Sequence, residues 1–179
     1  MQQSWRADSD KLTFITCLPQ PDVQHDVAAG KDDAPDRMIG DVNLFLSTAD
    51  EDPEGCIGEL ELMVAPVAMR RHGYGRATIL AFLHYIQTNL EKILAEYKKK
   101  EGVATMSLLQ LKVKIGSKND KSIKLFESIG FIKVGEGPNY FGEIELLFEG
   151  FLGEERTSGL LERYEIEGYR ELPYVEAET

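Results

Sequence analysis

One short stretch limits the folds open to this chain more than any other: Arg70-Arg71-His72-Gly73-Tyr74-Gly75-Arg76. Before it, Leu60, Leu62 and Val64 alternate with Glu59, Glu61 and Met63, the two-residue period of a half-buried strand. After it, Leu83, Ile86, Leu90, Ile93, Leu94 and Tyr97 recur at spacings of three and four, an apolar stripe along a helix from about Arg76 to Lys99. Lys98, Lys99 and Lys100 at its far end complement the negative pole of the helix dipole. A strand that enters a helix through a basic, glycine-bearing loop marks an α/β domain.

The flanking patterns extend that reading. Leu12–Leu18 and Met38–Ser47 read as strands, and the acidic turn Asp50–Gly55 joins the second to a strand over Cys56–Ala65. Pro19–Arg37, rich in Pro, Asp, Gly and Ala, reads as a long mobile loop. Leu109, Leu111, Val113 and Ile115 alternate along a further strand, and Gly116 turns the chain. Ser117 or Asn119 then caps a short helix carrying Ile123, Phe126 and Ile129, which Gly130 ends. Strands over Phe131–Val134 and Asn139–Phe148 follow. The expected fold is α/β, a mixed central sheet with flanking helices in the order β-β-β-α-β-α-β-β. Right-handed crossovers make its β-α-β centre parallel, and the preceding hairpin is antiparallel.

Residues 1–153 are expected to form the domain and 154–179 an acidic tail, with eight glutamates against three arginines and little periodicity. The whole chain of 179 residues carries 20 Lys and Arg against 31 Asp and Glu, a net charge of −11. That charge disfavours nucleic acid and anionic membranes as partners. No apolar run reaches the ~18 residues of a membrane span. The first residues lack the basic and apolar regions of a secretory signal. Cys17 and Cys56 have no neighbouring His or Cys in the sequence, so neither a disulfide framework nor a metal site is implied, and a reduced, cytoplasmic protein is the economical reading.

Helix N-termini present unpaired N–H groups and the positive end of a dipole, which together attract phosphate. Gly73 and Gly75 admit a ligand to the backbone, and Arg70, Arg71 and Arg76 concentrate positive charge in an acidic chain. The alternative is a solvated basic turn. A nucleotide P-loop would need Lys-Ser/Thr where Arg76-Ala77 stands, and a dinucleotide loop would need a third glycine where Thr78 stands.

Arg-x-x-Gly-x-Gly, read as Arg70, Gly73 and Gly75 between strand and helix, resembles the pyrophosphate loop of the GNAT superfamily of N-acetyltransferases. A second motif of that superfamily is similar to Asn119, Ser122, Leu125, Phe126, Gly130 and Phe131. Within it, the phrases Met1-Gln-Gln-Ser-Trp5, Gly40-Asp-Val-Asn-Leu-Phe-Leu46 and Lys114-Ile-Gly116-x-x-Asn119 resemble the eukaryotic N-acetyltransferase 9-like branch. In that branch such text follows a first strand and a helical pair, so the resemblance implies a domain shortened at its N-terminus.

The resemblance implies acetyl-CoA as cosubstrate and direct acetyl transfer to a primary amine of a protein or peptide. Leu62, Met63 and Val64 correspond to the strand end whose N–H groups hold the acetyl carbonyl and pantetheine. Arg70, Arg71, His72, Gly73, Tyr74, Gly75 and Arg76 correspond to the pyrophosphate loop. Asn119 is a pantetheine contact or simply a helix cap. Phe126 stands where the superfamily often has a tyrosine that protonates the thiolate; it lacks a hydroxyl, and packs against the cofactor or in the core. For the general base, spacing to Arg70 puts Glu59 first and Glu61 second, unless both are plain solvent-facing strand carboxylates. A catalytically impaired CoA-binding or interaction module of the same fold is the competing reading.

Overall fold

The structure, a computed structural model, describes residues 8–18, 27–151 and 156–175. Its main sheet contains β1 (Lys11–Cys17), β3 (Met38–Ala49), β4 (Asp52–Val64), β5 (Ser107–Gly116), β6 (Ile132–Val134) and β7 (Glu143–Phe148). They lie in the order β1-β3-β4-β5-β7-β6. Only the β4–β5 junction is parallel; the other neighbours pair antiparallel. A crossover of α1 (Tyr74–Glu101) links those two strands, while α2 (Asp120–Ile129) links β5 to β6.

Alternation along the strands divides the sheet into two chemical faces. Val42, Leu44, Leu60, Leu111, Val113 and Leu146 belong to one buried cluster with Ile79, Leu80, Leu83 and Ile86 of α1. Phe14 of β1 adds edge-on contacts with Phe82 and Tyr85 of the same helix, at ring separations of 5.7 and 4.9 Å. The strand positions between these carry polar groups. There Thr13 donates to Asn43 at 2.7 Å, Asn43 donates to Asp41 at 2.7 Å, and Lys114 and Lys112 pair with Glu59 and Glu145 at 2.7 and 3.5 Å.

The helix ends follow their sequence signals. Gly102 closes α1 at φ 72°, with its N–H donating to the Lys98 carbonyl. Asn119 caps α2 by accepting from the Ser122 N–H, and Gly130 ends it at φ 107°. Lys100 at the end of α1 pairs with Asp10 at 2.8 Å.

The structure departs from the sequence pattern in several places. β4 starts at Asp52 rather than Cys56, because its ladder with β3 continues to Ala49↔Asp52 across a register shift. β7 starts at Glu143 rather than Asn139, because the Asn139 side chain accepts from the Phe141 and Glu143 N–H groups and closes a turn. Within the expected loop, β2 (Val27–Ala28) pairs in parallel with β8 (Tyr174–Val175); residues 19–26 of that loop lie outside the described part.

The C-terminal segment is not a bare tail. It carries α3 (Arg156–Arg163), whose Thr157, Leu160 and Leu161 are buried. Thr157 joins His84 and Gln87 of α1 through its hydroxyl, and Gln87 donates to the Phe151 carbonyl at 3.1 Å. Among the described residues, no helix is long and apolar enough to cross a membrane.

Candidate active site

The β4–β5 ladder begins at Gly55↔Ser107 and stops at Glu59↔Lys112, although β4 runs on to Val64 and β5 to Gly116. Past that point the two strands carry no mutual ladder. A cleft of about 1370 Å³ opens where they part. One wall is Leu62, Met63 and Val64 with the loop residues Arg70, Arg71, Gly73, Gly75 and Arg76; the other is Gly116, Ser117, Asn119, Ser122 and Leu125.

The loop is shaped by its own arginine. Arg70 Nε donates to the Val64 carbonyl at 2.9 Å and a terminal nitrogen donates to the Ala65 carbonyl at 3.0 Å, so the guanidinium ties the loop to the end of β4. Arg71 and Gly73 adopt left-handed backbones, at φ 68° and 88°. Such turns direct successive N–H groups into a concavity suited to anions. Gly73 is the N-cap of α1 and supplies no side-chain cap, and the first turn holds no acidic residue. The first N–H groups of α1 therefore have no intrahelical partner.

A phosphate group fits this cradle. A Cβ at Gly73 would meet nothing within 4 Å, while one at Gly75 would reach Leu62, Leu125 and Val64 at 3.6–3.9 Å, so a side chain there would enter the cleft between its walls. Lys118 and Lys121 add positive charge to the far wall beside Asp120. They lie on either side of Asn119 and Asp120, beside the motif through which this wall can be read in the sequence. Phe141 also lines the cleft, from the β6–β7 turn, with no signal in its own neighbourhood.

The expected site residues divide cleanly. Leu62, Met63, Val64, Arg70, Arg71, Gly73, Gly75, Arg76 and Asn119 line the cleft. His72 and Tyr74 do not; their rings lie 6.4 Å apart beside the loop. Phe126 is a core residue instead of a cleft residue: it is 4% exposed and packs edge-on against Phe131 at 5.1 Å. Asn119 both caps α2 and faces the cleft.

Neither Glu59 nor Glu61 lines the cleft; both sit on the polar face of β4 with Met63, which does. Lys114 Nζ donates to Glu59 at 2.7 Å, and this bond holds the lysine above its ordinary pKa. The Glu61 carboxyl is held above the usual glutamate range, first by desolvation and then by the negative charges of Glu59, Asp41 and Glu143, against which Lys114 acts.

No family model matches the chain. It is 35% identical over 174 residues to the N-acetyltransferase 9-like protein of Schizosaccharomyces pombe, covering 82% of this chain and 73% of that relative. It is 34% identical over 146 residues to the alpha/beta-tubulin-N-acetyltransferase 9 of Homo sapiens, covering 82% of this chain and 59% of that protein. The corresponding share of the Mus musculus protein is 51%, so the chain spans little more than half of these mammalian relatives. Among solved structures, the spermidine N-acetyltransferase of Vibrio cholerae in complex with CoA and spermine superposes with a TM-score of 0.52 at 18% identity, over 84% of this chain and 73% of that one.

The mixed sheet that opens at its parallel junction, beside a two-glycine loop at the mouth of a long helix, gives the chain the GNAT acetyltransferase fold that it shares with that spermidine N-acetyltransferase. Within that class, the chain belongs to the N-acetyltransferase 9-like family.

Proposed function

We propose that this chain binds acetyl-CoA in the cleft between β4 and β5 and transfers its acetyl group to a primary amine of a protein or peptide. The observation that carries the reading is the loop itself: uncapped N–H donors of α1, glycines at 73 and 75, and Arg70 locking the turn against β4. A protein acceptor is supported by the tubulin acetyltransferase names of three relatives.

When bound, acetyl-CoA supplies a thioester whose carbonyl carbon the neutral amine attacks, the C–S bond breaking as the C–N bond forms. The exposed backbone of Leu62, Met63 and Val64 is where N–H donors can hold the acyl oxygen as it gains charge. Arg71, Arg76 and the first turn of α1 hold the phosphates. The acceptor's ammonium must shed a proton to become that neutral amine, and its ordinary pKa lies near 8 for an α-amine or ~10 for lysine. Glu59 and Glu61 are the carboxylates on the face that leads to Met63. Spacing favours Glu59, but its ion pair with Lys114 ties it up, whereas Glu61 stands two residues from the cleft-lining Met63. Partial desolvation and like charges also raise the basicity of Glu61, although its side chain is exposed, and a raised basicity suits it to accept a proton. We therefore assign the base to Glu61 and give Glu59 the role of its charged neighbour.

Gly75→Asp tests the reading. The new Cβ meets only ordinary contacts with Leu62, Leu125 and Val64, which line the cleft, so the substitution sets a negative charge between its walls, and circular dichroism checks that the chain is folded. Calorimetry should show acetyl-CoA binding weakened at least ~10-fold, the scale of like-charge repulsion in a partly desolvated site. Unchanged affinity in a folded Gly75→Asp chain overturns the placement. Tight binding by the native chain, without CoA release over a panel of peptide amines, would instead favour a CoA-binding module.

A further inference from the structure

We propose that Tyr164, in the segment after α3, is a positioning residue for the phosphate loop: its ring holds the Arg76 guanidinium at the cleft. This rests on the reading of the cleft as a phosphate site. The Arg76 guanidinium carbon lies 4.6 Å over the centre of the Tyr164 ring, and Arg76 lines the cleft. The Tyr164 hydroxyl donates to the Ser128 carbonyl near the end of α2. Leu125 and Ser122, one and two turns earlier on that helix, line the opposite wall. One side chain thus touches the helix on each side of the cleft.

Tyr164 is itself held firmly. Its N–H donates to the Leu160 carbonyl at 3.1 Å, and the following turn closes through Ile166 N–H to Leu161 at 2.9 Å, with Glu165 in a left-handed backbone at φ 54°. Buried Leu160, Leu161 and Thr157 fix α3 against α1. The ring is therefore a stationary platform. Arg163 places a second guanidinium 5.3 Å from the same ring, which adds to the positive field on this side of the loop.

A guanidinium stacks flat on an aromatic face, and the stack restricts the rotamers of a long, flexible stem. Arg76 is otherwise exposed to solvent at the mouth of the helix. Holding it in place before the ligand arrives removes an ordering cost that binding would otherwise carry, and immobilising one such side chain corresponds to about 3–10-fold in affinity. The C-terminal segment contributes to phosphate affinity without touching the ligand.

Calorimetry with CoA on the full chain tests this. Tyr164→Phe keeps the ring and should bind CoA nearly as the native chain does. Tyr164→Leu removes the platform and should bind about 3–10-fold more weakly. Arg76→Lys, which keeps the charge on an exposed side chain but cannot stack as a plane, should weaken binding to a similar degree; it reports even if Tyr164→Leu does not fold. In an Arg76→Gln background, Tyr164→Leu should add no further weakening. Native affinity in either Tyr164→Leu or Arg76→Lys overturns the proposal, as does an equal weakening by Tyr164→Leu in the Arg76→Gln background. A native chain that fails to bind CoA overturns the phosphate reading itself, and this proposal with it.

Discussion

Gly40 offers the sharpest test of how the sheet positions the cleft. It stands opposite Val64, at the last register pair of β3 and β4. A Cβ at this position would lie 1.8 Å from the Met63 carbonyl oxygen, 2.9 Å from its carbonyl carbon and 3.2 Å from the Val64 Cα. All three atoms belong to backbone, so no side chain can swing away. Cβ atoms do not approach other atoms closer than 3.0 Å, so Gly40→Ala must drive the strands apart by at least 3.0 − 1.8 = 1.2 Å. Met63 lines the cleft, and a displacement of ~1 Å at a reacting site costs on the order of 10²-fold in rate. The same overpacking costs about 1–3 kcal/mol of stability, or a Tm about 2–12 °C lower in a domain of this length. The assay is CoA release with a peptide acceptor at saturating acetyl-CoA, beside thermal unfolding followed by circular dichroism. Gly137→Ala, where a Cβ meets nothing within 4 Å in an exposed turn, is the control and should leave both unchanged. A Gly40→Ala chain with native rate and native Tm would refute the argument that this close approach sets the geometry of the β4 end.

Two further perturbations probe the polar face and the C-terminal attachment. Glu61 must be ionised to accept a proton, and its folded pKa is raised, so activity should fall on the acid side at a higher pH than an ordinary glutamate would impose. Glu59→Gln removes a neighbouring negative charge and should move that limb to lower pH, whereas Lys114→Met removes the opposing positive charge and should move it to higher pH; shifts in the same direction would count against Glu61, as would Glu61→Gln losing less than ~10²-fold in rate. Thr157→Val keeps shape but strands the partners of a hydroxyl on a residue that is 1% exposed, His84 and Gln87, and should cost about 1–3 kcal/mol in urea unfolding; a neutral result would mean that this seam does not hold α3 to α1.

Local chemistry was legible wherever one segment contained the whole signal. The α1 stripe, the Gly102 and Gly130 stops, the Asn119 cap and the order of the main elements can all be read within a window of a few turns. So can the shape of the loop at 70–76, because two glycines and a following helix dictate its backbone geometry. What escaped the sequence was long-range partnership. Arg70 reads as a phosphate ligand by charge, yet its donors close on Val64 and Ala65, because the end of β4 leaves two carbonyls within reach. Phe126 occupies a motif position, yet Phe131 across the Gly130 turn claims its ring for the core. Glu59 and Glu61 share a face by alternation, and Lys114, brought alongside by the parallel β5, pairs with Glu59 in a contact that no local pattern announces.

The C-terminal segment shows the same limit at larger scale. α3 has eight residues with a glycine at 159 and just two leucines, too short for a helical period to emerge against a run of glutamates. Its burial depends on groups that α1 supplies at least 70 residues earlier, Gln87 to Thr157 and His84 to Thr157. His84 belongs to no motif, yet it takes a structural role by meeting Thr157 at 3.0 Å and the Tyr169 ring at 4.7 Å. The result is a chain in which charge composition describes the tail correctly and its placement not at all. Four of the eight glutamates from 154 onward fall within the described residues, while the arginines at 156 and 163 turn toward rings, Phe148 and Tyr164. An acidic segment can still set an aromatic ring against Arg76 at the start of α1, because position rather than net charge decides a contact at a few ångströms.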